Sequence, residues 1–181
     1  MKEEEITQCA DLLREFHGRF APEFYDRRQA QTSQKVLHGL LLRGVRANAA
    51  KTARAVPGAD VDSVQHFMGR SPWDHRPIID QLHHLTADHI GHPEAILAVD
   101  DSGFAKKGHK SVGVKRQYSG TLGKVDNCQI GVFAAYVSPL GRCLVDEELY
   151  LPTEWCEVQK RRAEAQVPED VRFRTTPELA A

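Results

Sequence analysis

The 181-residue sequence is long enough to bury a hydrophobic core, and 41% hydrophobic with 27% charged residues is typical of one or two small globular domains. Its 24 lysines and arginines nearly balance its 25 aspartates and glutamates, so the formal charge of -1 does not by itself indicate a nucleic-acid partner. No apolar stretch approaches the roughly 20 residues of a membrane-spanning helix, and residues 2–5 lack the apolar core of a secretory signal. We therefore expect a cytoplasmic protein without a membrane partner.

The first part of the sequence, residues 1–92, has the periodicity of helices. A first helix is predicted by apolar residues at helical spacing, namely Ile6, Cys9, Leu13 and Phe16. A second helix is predicted over residues 27–43, with a polar, exposed first half, an apolar side that includes Leu40-Leu41, and a stop at Gly44.

Two short helical stretches follow, residues 48–56 and 60–68, with Asp60 placed to cap the second. Such a pair is compatible with a DNA-binding helix-turn-helix, in which nearby basic side chains would contact phosphates: Arg43, Arg46, Lys51 and Arg54. Helical pairs are equally common in bundles that bind no DNA, so both interpretations stay open. A fifth helix is predicted to begin after Asp74.

After residues 91–93 the pattern changes to that of strands. The continuous apolar run at residues 96–99 is typical of a strand that is buried on both faces. Further strands are predicted at residues 112–115, 128–137 and 142–149, and a charged helix from Thr153 to about Gln166. We expect the strands at 96–99 and 128–137 to be neighbours, the strand at 142–149 to pair antiparallel with the second, and the outer edge of the first to be exposed.

Four cysteines occur without a C-x-x-C pair: Cys9, Cys128, Cys143 and Cys156. In a reducing compartment they are expected to be free thiols that pack as small apolar residues.

Asp100 is the first polar residue after the apolar run and is followed by Asp101-Ser102-Gly103. A carboxylate at the end of a central strand is well placed to hold a divalent metal, because the strand fixes its position and the loop leaves its oxygens accessible. Side chains alternate along a strand, so Asp100 and Asp101 should point to opposite faces. The same four residues favour turns, and a plain turn is the alternative interpretation.

Several motifs follow one another in order between Leu97 and Pro152. They are D-D-S-G at Asp100, K-K-G at Lys106, S-V-G-V at Ser111, R-Q-Y-S-G at Arg116, N-C-Q-I-G-V-F at Asn127 and E-L-Y-L-P at Glu148. This ordered set resembles the opening of the RNase H-like domain in insertion-sequence transposases of the DDE superfamily endonuclease group. A weaker likeness extends across the helical part of the chain.

The resemblance implies an α/β fold (α+β overall), with a helical domain at residues 1–92 and an incomplete RNase H-like mixed sheet at residues 93–181. It also implies a metal-dependent DNA strand transferase in which three acids bind two divalent ions, with Mg²⁺ as the expected cofactor. Asp100 matches the family's first catalytic acid and metal ligand, and Ser102 two places later favours it over Asp101. The family's second Asp and its Glu have no match here, so the chain is interpreted as the front part of a transposase, inactive alone.

Basic residues near Asp100 are the candidate DNA contacts: Lys106, Lys107, Lys115 and Arg116. A solvated loop would explain the lysines as well. The resemblance implies transposon ends as the partner, and self-association or a full-length transposase as further partners. A non-catalytic DNA-binding or dimerising remnant is the alternative function, and a domain without a nucleic-acid role is the third.

Overall fold

The computed structural model describes residues 3–42 and 48–181. The chain divides into two compact units, Met1–Leu82 and His83–Ala181. The domain boundary expected between residues 92 and 93 remains a prediction. Three residues named above, Arg43, Gly44 and Arg46, lie outside the described residues.

The first unit is helical, as predicted. Its elements are α1 (Glu3–Gly18), a short 3-10 helix (Ala21–Glu23), α2 (Arg27–Leu41), α3 (Ala49–Ala55), α4 (Val61–Gly69) and the start of α5 (Arg76–Ile90). Three of the helices begin at a capping side chain that accepts a hydrogen bond from the backbone N–H three residues later: Asp26, Asn48 and Asp60. The predicted cap at Asp60 is confirmed, and Asp74 accepts a hydrogen bond from the backbone N–H of Arg76 at the start of α5.

The buried side of α2 differs from the predicted one. Gln29, Ala30 and Thr32 in its first half are buried, whereas Leu40 and Leu41 are 55% and 61% exposed. The buried face is made of small and polar residues, which allow close packing but leave no apolar periodicity in the sequence.

The predicted helix α1 is confirmed, but the apolar residues that predicted it are not its buried side. Cys9 is exposed and Phe16 is 45% exposed, while His17 is buried. The Nε2 atom of His17 lies 2.6 Å from the hydroxyl oxygen of Ser33, so a hydrogen bond satisfies this buried ring.

The second unit contains a four-stranded sheet organised around one long strand. The strands are β1 (Ile96–Ala105), β2 (Lys115–Ser119), β3 (Lys124–Ser138) and β4 (Gly141–Leu149). All three pairings are antiparallel: β1 lies along one edge of β3, and β2 and β4 pair with successive parts of its other edge. The predicted neighbours and the predicted hairpin are confirmed, and the fold class is α/β as expected.

Three local predictions in this unit are wrong. β1 continues through residues 100–103, so Asp100 is not at the end of a central strand as predicted, and the alternative of a turn is excluded as well. Residues 112–114 precede β2 instead of forming part of a strand. The charged helix is split at Val158, whose backbone is extended, into α6 (Thr153–Glu157) and α7 (Gln159–Glu164). A last helix, α8 (Thr176–Leu179), follows. Pairing with β3 explains the length of β1, because Ser102 and Gly103 take their places in the ladder.

The core of the second unit lies away from the start of β1. Its buried apolar residues are Leu85, Val114, Cys128, Ile130, Val132, Val145, Trp155 and Cys156. By contrast, Ile96 and Leu97 are each 62% exposed, so the prediction that this run is buried on both faces is wrong. Within the described residues β1 pairs with β3 alone, which leaves its outer edge exposed, as predicted.

The four cysteines are free thiols, as predicted, although Cys9 is exposed and does not pack in a core. Among the helices of residues 3–42 and 48–181, none has both the length and the apolar character needed to cross a membrane.

Candidate functional site

Asp100 lies in the middle of β1, where its side chain is exposed. It is in register with Phe133 on β3, which is in register with Glu147 on β4. Residues in register across neighbouring strands share a face of the sheet, so Asp100, Phe133 and Glu147 lie on one face.

Asp101 belongs to the opposite face. It is in register with Val132, and Val132 is in register with Glu148. The backbone N–H of Asp101 donates to Oδ1 of Asp100 at 2.8 Å. The two neighbouring carboxylates are therefore both exposed but point in opposite directions, as strand alternation predicts.

Asp100 and Glu147 share one face of the sheet and are separated by the intervening strand β3. In the part of the chain that the structure describes, no three side chains from His, Cys, Asp and Glu are grouped so that they could hold an ion. These residues do not by themselves fit a two-ion centre, and Asp100 offers one ligand position.

The segment of β1 after Asp100 is closely packed. A Cβ atom on Gly103 would lie 2.1 Å from the hydroxyl oxygen of Ser119, and the backbone N–H of Gly103 donates to Oγ1 of Thr121 at 3.2 Å. Glycine is required here for this close approach of the end of β2. The glycine that favoured a turn in the sequence therefore serves packing within a strand.

The four predicted DNA contacts lie beyond the end of β1 and in β2. Lys106 and Lys107 begin the connection from β1 to β2, and Lys106 N–H donates to the carbonyl oxygen of Asn127 at 2.9 Å. Arg116 is exposed and in register with Asn127. Asn127 on β3 thus lies between Lys106 and Arg116 and brings them to one part of the sheet.

Two of these cations have acidic neighbours. Lys115 Nζ lies 3.4 Å from Oε2 of Glu154, which partly neutralises it. Near Arg116, the pKa of Asp126 is held below its ordinary value, chiefly by a hydrogen bond from Lys124, with the backbone N–H of Asn127 and the charge of Arg116 also contributing. The least compensated charge should therefore come from Lys106 and Lys107.

In the helical pair of the first unit, Lys51 and Arg54 are exposed on α3. The N-terminus of α4, where a recognition helix would meet bases, instead carries Asp60 and Asp62. The described basic residues thus lie on the first helix of the pair, while the start of the second helix is acidic, and the helix-turn-helix with its phosphate contacts stays a prediction.

Sequence reasoning did not identify three residues that contact the chain between β1 and β2: Asn127, Gln129 and Arg161. The N-C-Q motif was the available signal, because it contains two amide side chains in a strand.

Comparison with known families gives the class of protein to which this chain belongs. A family model described as DDE superfamily endonuclease matches residues 19–181, and the chain belongs to this family, as its motifs predicted. The chain is 35% identical over 158 residues to the "Probable transposase for insertion sequence element IS701" of Microchaete diplosiphon, a match that covers 81% of this chain and 36% of that protein. The chain thus spans about a third of the length of this curated relative. No solved structure was found to match this chain significantly.

Proposed function

We propose that the chain acts in DNA transposition in the cytoplasm, with Asp100 as one metal-binding acid of phosphodiester cleavage and strand transfer. The observation that carries the proposal is the placement of the acid that matches the family motif. Asp100 is exposed in the middle of a strand whose backbone is fixed by pairing with β3. A bound divalent ion would polarise the phosphate and lower the pKa of an attacking water.

The same strand leads from the acid to a basic segment. Asp100 and Ala105 are five residues apart on β1, or about 16 Å at the rise of a strand. A DNA end lying along this direction would meet Lys106 and Lys107 on leaving the acid, with Lys115 and Arg116 beside them. Lysine and arginine neutralise phosphates and release condensed counterions, which makes such binding strong at low salt. We propose these four residues as the contacts to transposon ends.

Cleavage should need more acids than the described residues, 3–42 and 48–181, gather around Asp100. The chain should bind transposon-end DNA at low salt but show no Mg²⁺-dependent cleavage, because one ligand position holds a divalent ion weakly. The test incubates the purified chain with labelled transposon-end DNA and Mg²⁺, beside Asp100→Ala and the neighbouring control Asp101→Ala.

Retention of DNA by all three proteins without cutting would agree with the proposal. Cutting by the parent chain that disappears in Asp100→Ala would disprove the expected inactivity while supporting the role of Asp100. A further acid would then be required. Glu147 would be the first candidate because it shares the face of Asp100, followed by Asp146 on the opposite face. Failure of the parent chain to bind DNA at low salt would overturn the assigned contacts.

A further inference from the structure

Residues 106–114, called here the basic loop, connect β1 to β2 and contain four basic side chains: Lys106, Lys107, His109 and Lys110. Outside regular secondary structure, the backbone carbonyl groups of such a segment need other partners or water. In this loop, five carbonyl groups accept hydrogen bonds from four side chains of the second unit.

One group of donors comes from the central strand β3. Asn127 Nδ2 donates to the carbonyl oxygens of Lys106 at 2.6 Å and Gly108 at 3.0 Å. Gln129 Nε2 donates to the carbonyl oxygen of Val112 at 2.7 Å. Asn127 and Gln129 alternate with buried Cys128 and lie on the same side of β3. The strand that pairs with β1 therefore also holds both ends of the loop.

The other donors come from α6 and α7. Trp155 Nε1 donates to the carbonyl oxygen of Val114 at 2.9 Å, and Trp155 is buried. The guanidinium of Arg161 lies 3.8 Å from the centre of the Trp155 ring, and its Nη2 reaches the carbonyl oxygens of His109 at 3.3 Å and Val114 at 3.4 Å. Glu154 accepts from Nη1 of Arg161 at 3.1 Å, which orients the guanidinium toward the loop.

These contacts fix the backbone of the basic loop without using its lysine side chains as donors. We propose that Asn127, Gln129 and Arg161 are positioning residues that hold the loop in one conformation before DNA binds. The inference rests on the proposed DNA contact of Lys106 and Lys107. It adds that the ordered backbone of the loop raises the affinity of this contact. A loop that is already ordered loses less conformational entropy when it binds, so the same charges give higher affinity.

The experiment separates positioning from charge. DNA binding by the full chain is measured with a short labelled duplex at several salt concentrations. Asn127→Ala removes two hydrogen bonds to the loop but no charge. Its affinity for DNA should fall about tenfold at every salt concentration, because roughly one more backbone residue must be ordered on binding. The slope of log affinity against log salt concentration should stay unchanged. In the double variant Lys106→Ala/Lys107→Ala, by contrast, the slope should fall by roughly 1.8.

Gln117→Ala is the matched control, because the Gln117 amide donates to the carbonyl oxygen of Cys128 on β3 and makes no hydrogen bond to the loop. It should bind as the parent chain does. Hydrogen exchange should show faster exchange in the basic loop of Asn127→Ala and no change in Gln117→Ala. If Asn127→Ala fails to fold, Gln129→Ala removes a single hydrogen bond and takes its place in the same measurements.

Each outcome is decisive. Normal binding by Asn127→Ala, together with weak binding by the lysine variant, would overturn the positioning role and leave the proposed DNA contact standing. Normal binding by the lysine variant would overturn the proposal that Lys106 and Lys107 contact DNA. Equal losses in Asn127→Ala and Gln117→Ala would show a general structural effect and also overturn the inference.

Discussion

At the scale of single residues, Asp100 and Asp101 are two exposed carboxylates on opposite faces of one strand. If Asp100 is the metal ligand, Mn²⁺ should broaden the NMR signals of residues on its face, such as Phe133 and Glu147, and Asp100→Asn should abolish this broadening. Asp101→Asn has the same change of charge one residue away and should leave it intact. Broadening that persists in Asp100→Asn but disappears in Asp101→Asn would instead assign the ligand to Asp101.

A second residue-scale prediction concerns His17. The hydroxyl of Ser33 donates to the carbonyl oxygen of Ala30, so the neutral His17 ring donates from Nε2 to Ser33. Burial lowers the pKa of His17 below its ordinary value of 6.5. The unfolded chain therefore binds a proton at a higher pH than the folded chain does. This contribution to stability is complete above pH 6.5 and is lost as the pH falls below that value toward the folded pKa.

Urea unfolding at a series of pH values measures this effect. His17→Gln keeps a donor near Ser33 but does not titrate, so its free energy of unfolding should fall less than that of the parent chain below pH 6.5. Identical pH dependence in the two proteins would show that His17 does not contribute.

At the scale of elements, β1 pairs with β3 alone among the described strands, and the apolar side chains at its start are exposed. Exposed strand edges of this kind pair with other chains, and we expect concentration-dependent self-association. Leu97→Lys should reduce it, because lysine opposes edge pairing. Leu140→Lys is a matched control, since Leu140 is also 62% exposed but lies in the turn between β3 and β4.

Sedimentation over a wide concentration range provides the measurement. A parent chain that remains monomeric throughout, or an equal response to Leu97→Lys and Leu140→Lys, would contradict the assignment of β1 as the associating edge.

At the scale of the whole molecule, the sequence predicted the order of elements better than their burial. Caps and turns are local, so Asp60 and the turn at residues 139–141 could be recognised from neighbouring residues. Burial depends on distant partners. Apolar Leu97 is exposed because no described element covers it, and polar Gln29 is buried because it donates to the hydroxyl of Ser71 and the carbonyl oxygen of Pro72.

For the candidate site, the motifs named Asp100 and the lysines as candidates, because residue identity and order are written in the sequence, and their roles stay predictions. The anchoring of the basic loop was not predicted, since Arg161 lies 52 positions from His109 and the bond depends on tertiary structure. The placement of Arg161 also requires the break at Val158. The charged pattern of residues 153–166 predicted one continuous helix and gave no sign of this break.

The break at Val158 determines where the guanidinium of Arg161 lies. In one continuous helix, Trp155 and Arg161 would be six residues apart and their side chains would point about 120° away from each other. The extended backbone at Val158 lets Arg161 turn back onto the Trp155 ring. A β-branched residue with low helix propensity suits this break, whereas alanine would favour a continuous helix. A change that increased helix content would thus release the guanidinium from the basic loop and, under the proposed function, weaken DNA binding.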